Sequence, residues 1–372
     1  MIDRLKLRCD FKIDPLDFNI ANLDIPLIGD IDEQGRLTNL FHKWDSIPSH
    51  HAGIGFKIFD YSTDPKNPRC YIELNASPAK VMQGHNIFGT DNLQRCALAL
   101  MEPFFMQFPN IADLLDASTW EVCELDITYH SRAESVLHAI QFINALSNVS
   151  KGQTKARTGY ASTAYFGKKN SRLKKIKIYE KYTEVQQYLK KLLKKKDGEL
   201  LAAPFTEKLI EYSKGLVRWE VTLKKRWFER REIPTNLFEL QKVFNAIDYW
   251  KEATRDIFKA IEGERVMLNT DEKVHEALKE KYYYISAKGN KIYTRANNAF
   301  KTYKMIKSMG YSGALALSTQ SSFYKDIQCL HEVGMSRAHL QNLDSQGSTV
   351  IPMVRYTAVE FEQQIPSWAK VA

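Results

Sequence analysis

The sequence predicts an α+β fold: an antiparallel sheet backed by helices on one face, followed by a mostly helical C-terminal lobe. Three observations lead there. Four segments alternate apolar and ionisable residues, the pattern of strands with one face buried and one face open. Beyond Asn236 the period becomes helical, in Leu237 through Ala260 and Ala296 through Met309. The 372 residues are enough for two domains or lobes. A division around Pro234, into residues 1–233 and 234–372, fits the change of period.

Composition narrows the class. With 44% hydrophobic and 26% charged residues, the chain is not a disordered polymer. No apolar run approaches the ~18 residues that cross a bilayer, so no membrane partner is expected. Met1-Ile2-Asp3-Arg4-Leu5-Lys6-Leu7 alternates like a strand and lacks the apolar centre of a secretory signal. Cys9, Cys70, Cys96, Cys123 and Cys329 are odd in number and never form CxxC. That pattern points to reduced thiols in a cytoplasm and away from a disulfide framework or a cysteine-bound zinc.

Taken in order, the strands each carry an ionisable face. In Tyr71–Asn75, Ile72 and Leu74 oppose Glu73. In Glu121–Tyr129, Cys123, Leu125, Ile127 and Tyr129 oppose Val122, Glu124, Asp126 and Thr128. In Lys175–Lys181, Ile176 and Ile178 oppose Lys175, Lys177, Tyr179 and Lys181. In Val217–Lys224, Val217, Trp219, Val221 and Leu223 oppose Arg218, Glu220, Thr222 and Lys224. One such face is ordinary salt-bridged surface. Four supply both an acid cluster of the kind that holds a hard metal ion and cations of the kind that bind phosphates.

Charge is concentrated. Between Lys168 and Lys196, twelve Lys/Arg stand against two Glu, a local net of +10 beside +9 for the whole chain. Such a patch attracts phosphates, head groups or acidic proteins, or it is a solvated lysine-rich helix face. Within it, Thr163–Ser171 reads as a strand and a polar turn, and Ile176–Lys181 as a second strand. Val185, Tyr188, Leu189, Leu192 and Leu193 then follow at helical spacing. Tyr179 therefore sits at a strand-to-helix junction.

Phosphodiester cleavage by tyrosine needs the phenol to lose its proton and a cation to meet the charge on the phosphate. Lys177 and Lys181 flank Tyr179 and could favour both. Among 18 tyrosines, spacing alone leaves Tyr179 as readily structural as nucleophilic.

Over nearly its whole length the sequence resembles the filamentous-phage gene II replication proteins. The resemblance rests on Met1-Ile2-Asp3, on Pro48 through Ile58, on Glu73 through Thr90 with its Gln-Gly-His-Asn, on Asn148 through Lys155, and on Gly215 through Glu220. The Tyr-Phe-Gly…Ser…Ile-Tyr-x-Lys-x-x-Glu pattern also looks like the initiators of staphylococcal rolling-circle plasmids. The resemblance implies an HUH-like nickase domain that cuts the plus strand at a duplex origin. It would remain on the 5′ phosphate through tyrosine, then cut and rejoin the displaced strand into a single-stranded circle. Carried over residue by residue, it makes Tyr179 the nucleophile and Lys181 the neighbouring lysine, with Tyr182 as an alternative.

A metal ion is implied as well, Mg²⁺ or Mn²⁺. The sequence has no His-hydrophobe-His pair, so the usual two-histidine site does not transfer. The expected ligands are Glu73, His85 and Asp126, with Glu220 and Glu124 in reserve; His50-His51 is weaker, because adjacent residues of an extended segment face opposite ways. Glu124 departs from the family pattern, which has a basic residue there. Lys174, Lys175, Lys177, Arg218 and Lys224 are expected to meet DNA phosphates. No nucleotide cofactor is expected. No GxxxxGK[ST] is present, so a helicase, like a polymerase, would come from a bacterial host in whose cytoplasm the protein acts. A homo-oligomer on the origin is compatible with this.

Two rival readings remain open to the residues. A DNA-binding regulator leaves the acid-bearing faces without a purpose. A tyrosine recombinase generally carries His-x-x-Arg, which none of the nine histidines begins.

In the C-terminal lobe, Phe323–Val333, Gly334-Met335-Ser336 and Arg337–Leu343 read as a helix-turn-helix, a motif that also occurs in helical domains with no DNA role. Lys281-Tyr282-Tyr283-Tyr284, with Lys288, Lys291 and Arg295, could stack bases or form core and rim. Met267 aligns with an internal start that yields a separate C-terminal product in the resembling family.

Overall fold

Alternation in the N-terminal two thirds becomes, among the described residues, a ten-stranded antiparallel sheet of order β4-β5-β6-β1-β7-β12-β11-β10-β9-β8. The computed structural model describes residues 1–147, 150–151, 154–158, 162–168, 170–261, 271–287, 289–343 and 359–371. Met267, Lys288 and part of the Asn148–Lys155 stretch lie outside them. The strands are β1 (Ile2–Asp10), β2 (Ile28–Ile31), β3 (Leu37–Phe41), β4 (Asp45–Ile47), β5 (Ile54–Tyr61), β6 (Arg69–Ala76) and β7 (Glu121–Arg132). They continue with β8 (Ser150–Lys151), β9 (Thr154–Thr158), β10 (Thr163–Phe166), β11 (Lys174–Glu180) and β12 (Leu216–Lys224). β2 and β3 form a hairpin of their own.

Helices α1 (Pro78–Gln83), α2 (Leu93–Gln107), α3 (Pro109–Leu114) and α4 (Val136–Ser147) lie between strands. After β11 come α5 (Lys181–Leu192), α6 (Gly198–Ala202) and α7 (Glu207–Ser213). After β12 come α8 (Lys225–Glu229), α9 (Leu237–Val243) and α10 (Ala246–Ile261). The C-terminal lobe holds α11 (Asp271–Lys281), a hairpin of β13 (Tyr284–Ile285) and β14 (Lys291–Ile292), α12 (Thr294–Ala316), α13 (Gln320–Glu332) and α14 (Arg337–Gln341). No described helix is long and apolar enough to cross a membrane.

The four expected strands are present with their faces as read, save one slip. Val217, Trp219, Val221 and Leu223 enter the main core, as do Ile72, Leu74, Ile176 and Ile178. In β7, however, Val122 is in the core and Cys123 is only partly buried. The register against β1 jumps between Lys6↔Glu124 and Leu7↔Val122. A β-bulge inserts one extra residue there, and a one-residue slip turns side chains to the other face. The expected pairing of Cys123 with Leu125 is therefore corrected.

Helices α2, α4, α9 and α10 cover one face and share the main core with the strands. On the other face the covering is local. Leu216 has the parity of Arg218 and Glu220, and it packs with Ile87, Phe88, Val185, Leu192, Phe205 and Leu209 in a small separate cluster. Helices α5 to α7 thus cap one end of the otherwise open face.

Core packing continues past the expected division at Pro234. Leu237, Leu240, Tyr249, Trp250, Ala253 and Ile257 belong to the sheet's core, and the independent C-terminal cluster begins at Val274. The physical reason is the apolar stripe of α10. Trp250 packs on Trp219 with ring centroids 6.3 Å apart and donates to the Trp219 carbonyl at 3.1 Å. Burying side chains of this size contributes about 1.5–3 kcal/mol each, enough to bind α10 to the sheet. The helix-turn-helix segment forms with Gly334 at φ 98° and Ser336 capping α14. Ala338, Leu340 and Gln341 of α14 are buried, while Arg337 and His339 are partly exposed.

Candidate active site

Tyr179 ends β11 directly before α5, at the expected junction. Glu180 makes that junction: its carboxylate accepts from the backbone N–H of Tyr182 at 2.9 Å and Thr183 at 2.7 Å, satisfying the first turn's free donors. Antiparallel pairing then sets Tyr179 opposite Arg218, and Arg218 opposite His130. The next row is Lys177, Glu220 and Thr128. The row after it is Lys175, Thr222, Asp126 and Arg4.

Tyr179 is only 4% exposed, yet it belongs to none of the three apolar clusters. Lys177 Nζ lies 4.0 Å from its ring centroid and Lys181 Nζ 5.9 Å. Its hydroxyl has no hydrogen-bond partner among the described residues. Burial pushes the phenol well above its ordinary pKa, Arg218 pulls it down, and Glu220, Glu184 and Asp3 push it up again. The resting phenol is protonated, and it is surrounded by ionisable groups.

Arg218 is 2% exposed. It pairs with Asp3 at 3.1 Å and donates to the carbonyls of Asn86 and Ile87. Burial disfavours its charge, but Asp3 and Tyr179 outweigh that and hold the guanidinium protonated. The structure thus places Arg218 inside the site, already engaged. Lys181 is 1% exposed, bonded to Asn86 Oδ1 at 3.0 Å and Glu184 at 2.5 Å. Burial brings its pKa down to about 8 against the opposing pull of Glu184.

The expected metal ligands do not gather: Asp126 stands two rows and two strands from Tyr179, His85 is near Lys181 and Arg218, and Glu73 is on a more distant strand. Glu73 pairs with Lys6 at 2.6 Å, two strands away and opposite Arg8 rather than Arg4. His85 packs edge-on to Phe88 at 4.8 Å, and burial with Lys181 and Arg218 keeps it neutral, its pKa at about 4. Glu124 is taken up by Arg4 at 3.4 Å and Lys224 at 3.6 Å. Among the described residues no three His, Cys, Asp or Glu side chains gather to hold a metal.

What remains is an acid pair. Asp126 and Glu220 are diagonal neighbours on adjacent strands, and neither has a cation at ion-pair distance among the described residues. Burial, then repulsion from Glu220, pushes Asp126 well above the usual carboxylate range, while Glu220 is raised by burial against the pull of Lys177. Asp126 Oδ1 and Thr128 Oγ1 are buried without partners. Two carboxylates and a hydroxyl with unmet oxygens suit Mg²⁺, which is commonly held by one or two carboxylates plus substrate phosphates.

Sequence reasoning missed Asp3, Asn86 and Glu184. Asp3 reaches the site because it is the extra residue of a bulge between Ile2↔Ile127 and Arg4↔Asp126. The signal was a phase slip: Asp3 has the parity of Leu5, Leu7 and Cys9 but is charged. Asn86 donates to Asp3 Oδ1 at 2.7 Å and accepts from Lys181, so it links the two.

The other expected DNA contacts are spread along the sheet. Lys174 Nζ donates to the Ala253 carbonyl at 2.6 Å. Lys175 is opposite Thr222 and Lys177 opposite Glu220. Tyr182 is half-buried, with Lys214 Nζ 5.6 Å from its ring centroid. Lys190, Lys191 and Lys194–Lys196 are exposed at the end of the α5 cap.

Known proteins are similar to this chain over most of its length. Residues 1–251 match the N-terminal model of the gene II replication-associated protein family, and residues 285–371 match its C-terminal counterpart. The chain is 34% identical over 355 residues to the gene II replication-associated protein of Salmonella phage IKe, covering 91% of this chain and 83% of that one. It is 32% identical over 356 residues to that of Enterobacteria phage M13, covering 91% and 86%. A solved rolling-circle replication initiator protein from Geobacillus stearothermophilus overlaps at 10% identity and TM-score 0.28, over 69% of this chain and 84% of that one, a likeness too distant to bear on the site.

Proposed function

The chain belongs to the gene II replication-associated protein family, and on that premise we propose that it starts rolling-circle replication by nicking the plus strand of its origin through Tyr179. The observation that carries this reading is the setting of Tyr179: a phenol outside every apolar cluster, among Arg218, Lys177 and Lys181, and next to the row of Glu220, whose diagonal neighbour is Asp126.

In the first step the Tyr179 oxygen attacks the scissile phosphorus and the bond to the 3′ oxygen breaks. The phenol proton ends on that oxygen. The products are a free 3′-hydroxyl and a 5′-phosphotyrosine. The ester keeps the energy of the broken bond, so no nucleotide is consumed. Once the origin regenerated by synthesis is cut in its turn, the displaced strand ends in a 3′-hydroxyl. That hydroxyl attacks the phosphotyrosine, which closes a circle and returns the proton to the freed Tyr179 oxygen. Host polymerase would extend the first 3′ end while a host helicase opens the duplex.

Arg218, fixed by Asp3 and Asn86, favours the phenolate that develops during attack. Lys177 and Lys181 steady negative charge at the phosphate. Asp126, Glu220 and Thr128 would hold a divalent cation. Bound there, it supplies Lewis-acid polarisation of a non-bridging phosphate oxygen.

The test is incubation of the full chain with Mg²⁺ and a supercoiled plasmid carrying the origin of the same phage genome. Open circles with protein on the 5′ end are expected. A shifted complex that stays supercoiled would instead identify a DNA-binding regulator.

Two further outcomes follow from this reading. kcat/KM reports the free enzyme's ionisations, so it should fall as pH rises through about 8, where Lys181 loses its charge. Lys181→Arg should push that limb to higher pH, and an unmoved limb would remove Lys181 from the mechanism. Neutralising the five exposed lysines at 190, 191 and 194–196 should reduce the salt slope of duplex binding by up to about 4. An unaltered slope would make that run a solvated helix face.

A further inference from the structure

The open face carries a second feature, at the end of the sheet farthest from the α5–α7 cap. Phe59 of β5 lies opposite Tyr71 of β6, and Tyr61 opposite Arg69. Their parity is that of Lys57 and Glu73, while Ile58, Ile72 and Leu74 go to the core. Phe59 stacks on Tyr71 at 4.8 Å and 19°, and on Tyr61 at 6.1 Å and 18°. Lys57 Nζ lies 4.6 Å from the Phe59 ring centroid, and Arg69 lies 5.6 Å from that of Tyr61 and 5.2 Å from that of Tyr71. Tyr61 is 41% exposed, and Trp44, beside Lys6 at 5.5 Å, is 47% exposed.

These rings are on the face away from the main core: Tyr61 and Trp44 are exposed, Phe59 is half-buried and Tyr71 is buried. Lys57 and Arg69 pair with no carboxylate among the described residues. Rings orient both charges, and the nearby carboxylates, Glu73 opposite Lys57 and Asp10 near Arg69, stand outside ion-pair distance of them. Open rings interleaved with unpaired cations match a strand of nucleic acid, whose bases stack on rings and whose phosphates need cations. The platform is continuous with the candidate active site, because Lys177, Lys175, Arg4, Lys224 and Lys6 occupy the intervening rows of the same face. With five strand steps of about 4.8 Å and an offset of about ten residues at 3.3 Å each, Tyr179 and Phe59 are roughly 40 Å apart, a span of several nucleotides.

We propose that Trp44, Phe59, Tyr61, Lys57 and Arg69 form a base-stacking subsite for single-stranded DNA. This rests on the nicking reading for the identity of the strand, which would be the one contiguous with the cleaved phosphate.

The test uses the full chain and a fluorescein-labelled 20-nucleotide oligothymidylate, with anisotropy as the readout. Tyr61→Ala, Trp44→Ala and Arg69→Ala should each weaken binding by about tenfold. Tyr61→Phe should retain wild-type affinity, because the ring is what stacks. Melting temperatures should stay unchanged, since Tyr61 and Trp44 are exposed. Affinity unaltered in all three alanine variants would overturn the subsite, as would a loss seen only with a duplex probe. The two readings fail separately. If the oligonucleotide affinity falls as expected but wild-type protein never nicks, the platform stands and the enzyme reading falls. If Tyr179 is covalently loaded while the alanine variants bind normally, the reverse holds.

Discussion

Tyr179→Phe is expected to lower origin nicking by at least about a thousandfold while leaving origin binding and thermal stability close to wild type. The structure says why the two effects should separate. The Tyr179 hydroxyl has no hydrogen-bond partner among the described residues, so its loss leaves no donor or acceptor orphaned. The ring that Lys177 lies over at 4.0 Å is retained in phenylalanine. Only the nucleophile goes. Supercoiled-plasmid nicking, anisotropy with origin duplex and thermal melting check the three parts. Nicking near the wild-type rate would exclude Tyr179 from the chemistry.

Asp126→Asn should reduce Mg²⁺-dependent cleavage by about a hundredfold or more and at the same time stabilise the metal-free protein. Burial and Glu220 hold the Asp126 carboxyl well above its ordinary pKa. A group that binds its proton more tightly folded than unfolded makes the folded state less stable as pH rises from the ordinary carboxylate range toward the raised value. Asparagine removes that penalty, and Mg²⁺ offsets it in the wild type by mass action on the folded state. Without Mg²⁺ the variant should melt higher than wild type at pH 7, and the Mg²⁺-induced shift seen in wild type should be largely lost. Equal Mg²⁺ shifts in both proteins would discard Asp126 as a ligand, whatever happens to cleavage.

The strand faces were legible because alternation is a local signal: Trp219, Val221 and Leu223 face the core while Arg218, Glu220 and Thr222 face away. The junction at Tyr179 was legible for the same reason, through the switch from strand to helical spacing. Strand order was not. Glu73 and Asp126 look equivalent in sequence, each an acid on an apolar strand, but β1 lies between their strands and the register sets them in different rows. Within the Gln-Gly-His-Asn stretch it is Asn86, next to His85, that makes the contacts to Asp3 and Lys181. The bulges at Asp3 and Cys123 shift parity, and only the apolar partners on the adjacent strand reveal the new phase. The packing of α10 on the sheet was not legible, because a stripe that packs on a sheet has the same period as one that packs on a helix.

The account turns on which residue carries the DNA after cleavage. Wild-type protein trapped on a single-stranded origin oligonucleotide with Mg²⁺, then digested and sequenced by mass spectrometry, answers it directly. The expected result is a 5′-phosphate ester on Tyr179, in the peptide that runs from β11 into α5. An adduct on Tyr182, or on a 3′ phosphate, would contradict it.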